Sequence, residues 1–152
     1  MLKKIITLSY LFSILFFVDR LVEYYIFNNP ALKQGLDFFK FLTLKIQVNS
    51  NLALSLPANN LLIAIVSFLI ILYLLFLIIK GIQIGQSYVW GLSLILAGAI
   101  SNVIDRLVLG GVLDFINLAH FTSFNISDVY ITLGAIMVAL TLLPKKQTSI
   151  KL

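Results

Sequence analysis

Between Leu61 and Ile104 the chain carries one charged side chain, Lys80. Leu61–Ile79 is continuously apolar apart from Ser67 and Tyr73, and Gly81–Ile104 is uncharged throughout. A membrane-spanning helix needs about 20 largely apolar residues, so both runs meet that requirement. Two further apolar runs flank them. Ile5–Val18 continues amphipathically through Ile26, and Val129–Leu143 ends at Pro144-Lys145-Lys146. Over 152 residues the chain is 61% hydrophobic and 11% charged. Soluble domains sit near 45–50% and about 25%. Both departures place the chain among integral membrane proteins.

The expected fold is an all-α membrane protein, a single integral domain over residues 1–152, with four transmembrane helices at about 5–26, 61–79, 84–104 and 124–143. Between the first two lies a small extracytoplasmic β element at about 36–56. There, Leu42, Leu44, Ile46 and Val48 alternate with Thr43, Lys45, Gln47 and Asn49, the period of a half-buried strand. Leu32–Phe41 supplies a further strand or a short interfacial helix. Lys3-Lys4 ahead of an apolar core resembles a cleaved signal peptide, but Phe17-Val18-Asp19-Arg20 offers no small-residue cleavage site, which favours an uncleaved anchor.

Several function classes drop out. The formal charge is +5, yet no basic cluster exceeds two adjacent residues, which argues against nucleic acid as a partner. With no cysteine, disulfides, thiol catalysis and thiolate metal sites are excluded. One histidine, His120, leaves little for a zinc site and reads as an interfacial side chain.

Four spans put both termini on one side, with Lys3, Lys4, Lys80, Lys145, Lys146 and Lys151 on a shared face taken as cytoplasmic. All six acidic residues then fall in the outer half: Asp19, Glu23, Asp37, Asp105, Asp114 and Asp128. Asp19 near the end of the first helix, Asn102, Asp105 and Arg106 near the end of the third, and Asp128 near the start of the fourth meet at one depth. Asp114 follows a turn at Gly110-Gly111. Acids inside a span cost roughly 2.5–3.5 kcal/mol to insert, which makes each a candidate functional residue. Plainer roles exist. Asp105-Arg106 reads as mutual support, Asp19 with Arg20 and Glu23 as a helix end, and Asn125 with Asp128 as a helix N-cap with an acid at its third position. Asn125-Ile126-Ser127 matches a glycosylation acceptor but sits at the membrane edge.

If Asp114 and Asp128 approach, both cannot readily ionise. One carboxylate then takes a proton from water, while its protonated partner polarises a carbonyl and later protonates the leaving amine. That is aspartic-protease chemistry and calls for no metal or other cofactor. Thirteen intervening residues allow the approach without requiring it.

In these segments the chain resembles bacterial lipoprotein signal peptidase, the signal peptidase II family, as a divergent member. The family's G-N-x-x-D-R motif, followed shortly by D-F, corresponds to SNVIDRLVLGGVLDF at residues 101–115. Its F-N-[LIV]-A-D motif corresponds to FNISD at 124–128, and its N-x-G-A-A-F motif to NSNLALS at 49–55. The first-helix aspartate matches Asp19. Ser101 and Ser127 stand where glycine and alanine are usual, Asn51 and Leu54 where glycine and phenylalanine are, and Glu23 where lysine is common.

The resemblance implies an aspartic endopeptidase of the bacterial cytoplasmic membrane, with Asp114 and Asp128 as the catalytic pair and Asn102, Asp105, Arg106, Asn125 and Asp19 in support. Arg106 would bind substrate main-chain carbonyls, and Asn49 would face substrate from the outer sheet. The implied partners are diacylglyceryl-modified prolipoproteins, cut just before the lipidated cysteine, and membrane lipid. The protein is expected to act as a monomer, with its active site near the outer face. Two non-catalytic readings stand beside this one. The first is an ion- or proton-conducting cluster of Asp19, Asp105 and Asp128, disfavoured because polar residues do not continue through the membrane depth. The second is a paralogue that binds precursors without cutting. On topology, reporter fusions at Gln83 and Leu152 are expected to read cytoplasmic and one at Gln34 external; a cytoplasmic signal at Gln34 would separate the acids from a common face.

Overall fold

A computed structural model of the chain describes residues 1–50, 60–118 and 122–143. Asn51, Leu54, His120 and the basic end at Lys145, Lys146 and Lys151 lie outside the described residues. Four long helices dominate: Leu2–Phe27 (α1), Asn60–Gln83 (α3), Val89–Leu109 (α4) and Ile126–Leu142 (α5), with a short α2 at Pro30–Gln34. Helices α1, α3 and α4 are long and apolar enough to cross a membrane. Helix α5 is apolar but shorter, at 17 residues.

Burial is inverted relative to a water-soluble protein. Tyr10, Ile14, Phe17, Phe68 and Leu69 point outward, while Asp19, Asp105, Ser101, Asn125 and Ser127 are buried. In hydrocarbon this arrangement is the favourable one, because apolar side chains meet lipid and polar groups can be satisfied only from within. Helix α4 is the hub, packing against α1, α3 and α5. Against α3 it builds an apolar core of Ile71, Leu74, Ile78, Leu92 and Leu96. Against α5 it packs backbone to backbone. A Cβ on Gly91 would lie 2.6 Å from the Gly134 carbonyl oxygen, and one on Gly98 would overlap the Ser127 carbonyl. Small residues allow this approach, which in lipid is driven by packing rather than by expulsion of water.

The break between α3 and α4 differs from expectation. Helix α3 runs to Gln83, a turn occupies residues 84–88, and α4 starts at Val89 rather than near residue 84. Gly85 adopts φ +75°, a left-handed conformation that ends helices. No charged residue marks this break, since the run from Gly81 to Ile104 is uncharged. Near the same end, Lys4 of α1 donates to the Gln86 carbonyl, bringing the start of α1 beside the α3–α4 turn.

The β element is larger than expected and is not confined to the segment between the first two long helices. It is a four-stranded antiparallel sheet, ordered β1-β2-β3-β4, from Leu36–Phe39, Leu42–Asn49, Val112–Leu118 and Thr122–Phe124. Leu32–Phe41 divides into the end of α2 and β1. Strands β3 and β4 come from the connection between α4 and α5. They escape detection because Val112, Leu113, Asp114 and Phe115 are buried in succession, so no period of two appears. Strand β2 does alternate, up to a bulge. Leu44 pairs with Ile116 but Gln47 with Asp114, so β2 advances three residues while β3 advances two. The extra residue flips the faces beyond it. Val48 therefore turns outward at 45% exposure, and Asn49 turns inward.

At an unhindered helix position, replacing glycine by alanine stabilises by about 1 kcal/mol. Gly98→Ala is expected to do the reverse, losing about 1–3 kcal/mol as α5 is forced away. Thermal unfolding in detergent checks this, and a raised melting temperature would mean that α5 does not rest on Gly98.

Candidate active site

Asp114 sits on β3, four residues past the left-handed Gly110 that closes α4. Gln47 is its direct cross-strand neighbour, and Asn49, brought to the same face by the bulge, lies diagonally across. The Asn49 amide donates to Asp114 Oδ2 at 2.9 Å. Asp114 is 3% exposed, and burial pushes its carboxyl up from the ordinary 3.8 to about 6. The Asn49 hydrogen bond opposes that rise, the charge of Asp128 adds to it, Arg106 opposes it, and Asp105 adds to it. Asp128 and Arg106 therefore both lie within the electrostatic reach of Asp114, although Asp128 comes from a different element.

Asp128 belongs to the first turn of α5. Asn125 is the N-cap, its side chain accepting from the Asp128 amide at 2.9 Å, and Asp128 Oδ2 accepts from the Asn125 amide at 3.3 Å. This is a reciprocal capping box. The plainer role expected for Asn125 and Asp128 is thus present. It does not occupy the whole carboxylate, because Asp128 Oδ1 accepts from the Asn102 amide at 3.0 Å. Asn102 Oδ1 in turn accepts from Asn125 Nδ2 at 3.0 Å. Helix α4 thereby holds the start of α5 through two asparagines. An open apolar crevice of about 380 Å³, lined by Leu118, Phe124, Val129 and Leu133, opens beside Asp128.

Asp105 and Asp19 lie behind this front rather than in it. Asp105 is 1% exposed and accepts from Arg20 Nη1 at 2.8 Å and from the Leu113 amide at 3.1 Å. Asp19 is also 1% exposed and accepts from Arg20 Nη2 at 2.9 Å, from Ser127 Oγ at 2.8 Å and from Ser101 Oγ. Arg20 Nη2 further donates to Glu23 at 2.7 Å and to Ser101 Oγ. Helix α1 continues to Phe27, so Asp19 is not at a helix end.

The structure therefore divides the expected site residues into two groups. Asn49, Asn102, Arg106, Asp114, Asn125 and Asp128 form the front, and Asp19 with Asp105 form a buried layer behind it. Four participants went unassigned in the sequence: Arg20, Glu23, Ser101 and Ser127. Helical spacing was the available signal for Arg20, since it stands one turn from Glu23 on the helix that supplies Asp19. Ser101 and Ser127 each directly precede a motif residue, Asn102 and Asp128.

The profile of a family described as Signal peptidase (SPase) II matches residues 11–144. A lipoprotein signal peptidase from Pseudomonas syringae pv. tomato is 32% identical over 152 aligned residues, covering 86% of this chain and 82% of that one. A lipoprotein signal peptidase from Pseudomonas putida is 42% identical, in a match confined to 43% of each chain. Among solved structures, one described as a bacterial membrane enzyme superposes with a TM-score of 0.81 at 28% identity, covering 96% of this chain and 92% of that one. A second of the same description gives 0.79 at 26% identity, covering 91% and 94%.

The raised Asp114 pKa has a consequence for stability. Between about pH 4 and pH 6 the folded chain keeps a proton that the unfolded chain has released. The Asp114 contribution to stability is thus full below that window and is lost as pH rises through it. Asp114→Asn is neutral at every pH and is expected to abolish this slope, leaving the variant at least as heat-stable as the parent at pH 7.5. Melting temperature against pH checks it; a steeper loss of stability with rising pH in the variant would contradict the sign.

Proposed function

The chain belongs to the signal peptidase II family, and on that premise we propose that it is an intramembrane aspartic endopeptidase that removes signal peptides from diacylglyceryl-modified prolipoproteins, cutting before the lipidated cysteine. The observation that carries this reading is the convergence of two carboxyls from separate elements, each held on one oxygen by an asparagine. Asn49 holds Asp114 and Asn102 holds Asp128. A capping role alone accounts for Asp128, but not for a second buried carboxyl on a strand within its field.

Charge repulsion keeps one proton on the pair. Burial raises the Asp114 carboxyl to about 6, which lowers the cost of placing a proton there. The protonated member donates to the scissile carbonyl oxygen, and the ionised member takes a proton from water. The water oxygen attacks the carbonyl carbon, and the carbon–nitrogen bond breaks as the nitrogen receives a proton from the pair. Arg106 beside Asp114 presents a planar fork suited to substrate main-chain carbonyls. The apolar crevice beside Asp128 suits the uncharged run of a signal peptide.

The proposed setting is a single integral domain of the bacterial cytoplasmic membrane, acting as a monomer on lipidated precursors among membrane lipid. In it α1, α3, α4 and α5 all span, both termini are cytoplasmic, and the sheet and carboxyl pair lie at the outer face. Support for α5 as the fourth span comes from its apolar composition and its close packing on α4.

Incubating purified protein with a lipidated precursor tests the reading. Asp114→Asn and Asp128→Asn are each expected to cut cleavage by roughly 10³-fold or more while leaving membrane-inserted protein that still binds precursor. The double variant should be little worse than either single one, because the pair works as a unit. Substantial cleavage by Asp128→Asn would return Asp128 to capping alone, and binding without cleavage by the parent would favour a non-cutting paralogue. Arg106→Lys is expected to impair turnover without loss of protein from the membrane; full activity would reduce Arg106 to a countercharge.

A further inference from the structure

We propose that Arg20, acting with Ser101 and Ser127, is the positioning residue that sets the two carboxyls against each other, a role that rests on the reading of Asp114 and Asp128 as the catalytic pair. None of the three is placed against the reacting atoms; each acts through a neighbour. Arg20 Nη1 holds Asp105 Oδ1, and Asp105 Oδ2 holds the amide of Leu113, the residue before Asp114. Arg20 Nη2 holds Asp19 Oδ2, and Asp19 Oδ1 holds the hydroxyl of Ser127, the residue before Asp128. Ser101 bonds to both Arg20 and Asp19, and it precedes Asn102, the donor to Asp128 Oδ1. One guanidinium on α1 thus fixes the residue preceding each carboxyl and the residue preceding the asparagine that holds one of them.

The electrostatics support the assignment. Three carboxyl groups, Asp19, Glu23 and Asp105, surround Arg20 within 2.9 Å, and all three are buried. Removing the cation leaves buried carboxyls close together without the countercharge that compensates them. The Phe16 ring, 6.0 Å from the guanidinium carbon, lies along one side. Arg20 Nε has no hydrogen-bond partner among the described residues, so orientation comes from the two terminal nitrogens. The local sequence is compensated as a set. Glu23 stands where the resembled family commonly has lysine, and here the cation sits one turn earlier. The two serines, where that family has glycine and alanine, add hydroxyl donors to the same aspartate.

The test reads kcat and KM separately on a lipidated precursor, with Asp114→Asn and Asp128→Asn measured alongside. Ser101→Ala/Ser127→Ala removes only hydroxyls and is expected to lower kcat about 10-fold with KM within about 2-fold, because misplacement affects the chemical step more than binding. Arg20→Leu should lower kcat by about 100-fold, and adding Glu23→Lys to it should recover most of that loss by returning a cation one turn along the helix. Full kcat in the serine double variant overturns the proposal, even if Arg20→Leu fails to accumulate in the membrane. So does an Arg20→Leu loss that Glu23→Lys leaves untouched in a protein that accumulates normally. Cleavage that survives Asp114→Asn or Asp128→Asn would instead overturn the catalytic pair itself, a separate and recognisable outcome.

Discussion

A half-buried arginine bonded to three buried carboxyls is the interaction on which the arrangement depends. The outward faces of α1, α4 and α5 carry exposed Ile, Leu and Phe side chains, and lipid against such a surface does not stabilise a stray charge. The charges satisfy one another, with Asp19 and Arg20 of α1 brought against Asp105 of α4. Once that contact forms, Ser101 and Ser127 follow, and with them the register between α4 and α5. The glycines Gly91, Gly98 and Gly134 permit this register by letting the two backbones touch. Packing supplies the closeness, and the polar node selects which residues become close.

The long helices were legible because hydrocarbon imposes a composition as well as a length. Residues 61–104 could hardly fold otherwise, and the front residues were legible because polar groups stand out against such a background. The Asn125–Asp128 cap could be read from spacing alone. Strand β3 could not, because four consecutive buried residues carry no alternation, and that concealed the element bearing Asp114. Nor could the direction of Asn49 be read from the period of β2, since a bulge between Leu44 and Gln47 reverses it. Sequence periodicity assigns Asn49 to the face opposite Leu44; one extra residue returns it to the same side. The break at Gly85 was misplaced because no charge marks it, and the polar Gln83, Gln86 and Ser87 around it were the available signal.

Arg20 was missed for a different physical reason. With Asp19 and Glu23 beside it, Arg20 read as part of a helix end, but α1 continues to Phe27. Asp19 and Glu23 on its own turn of α1 and Asp105 from α4 together turn Arg20 inward, and only the last of these depends on three-dimensional adjacency. Ser101 and Ser127 are small enough to pass as packing residues, and each is wholly enclosed between helices. A hydroxyl in such a place needs a partner, and both find the same one.

Capping and chemistry need not compete at Asp128. A carboxylate that serves a reaction must present one oxygen in a fixed direction, and a freely rotating side chain on the first turn of a helix does not. The capping box removes that freedom by tying Oδ2 to the Asn125 amide, while Asn102 ties Oδ1 from the neighbouring helix. The same cap lays the start of α5 across α4, where Ser127 reaches Asp19. Asp114 has no helix to orient it and is instead held by a strand neighbour, Asn49, and by the Leu113 amide anchored on Asp105. The two carboxyls are thus fixed by unlike means, one by a helix terminus and one by a sheet. The two supports meet again at Arg20, which bonds both Asp105 behind Leu113 and Asp19 behind Ser127, so a single cation ties the strand carboxyl and the helix carboxyl to one frame.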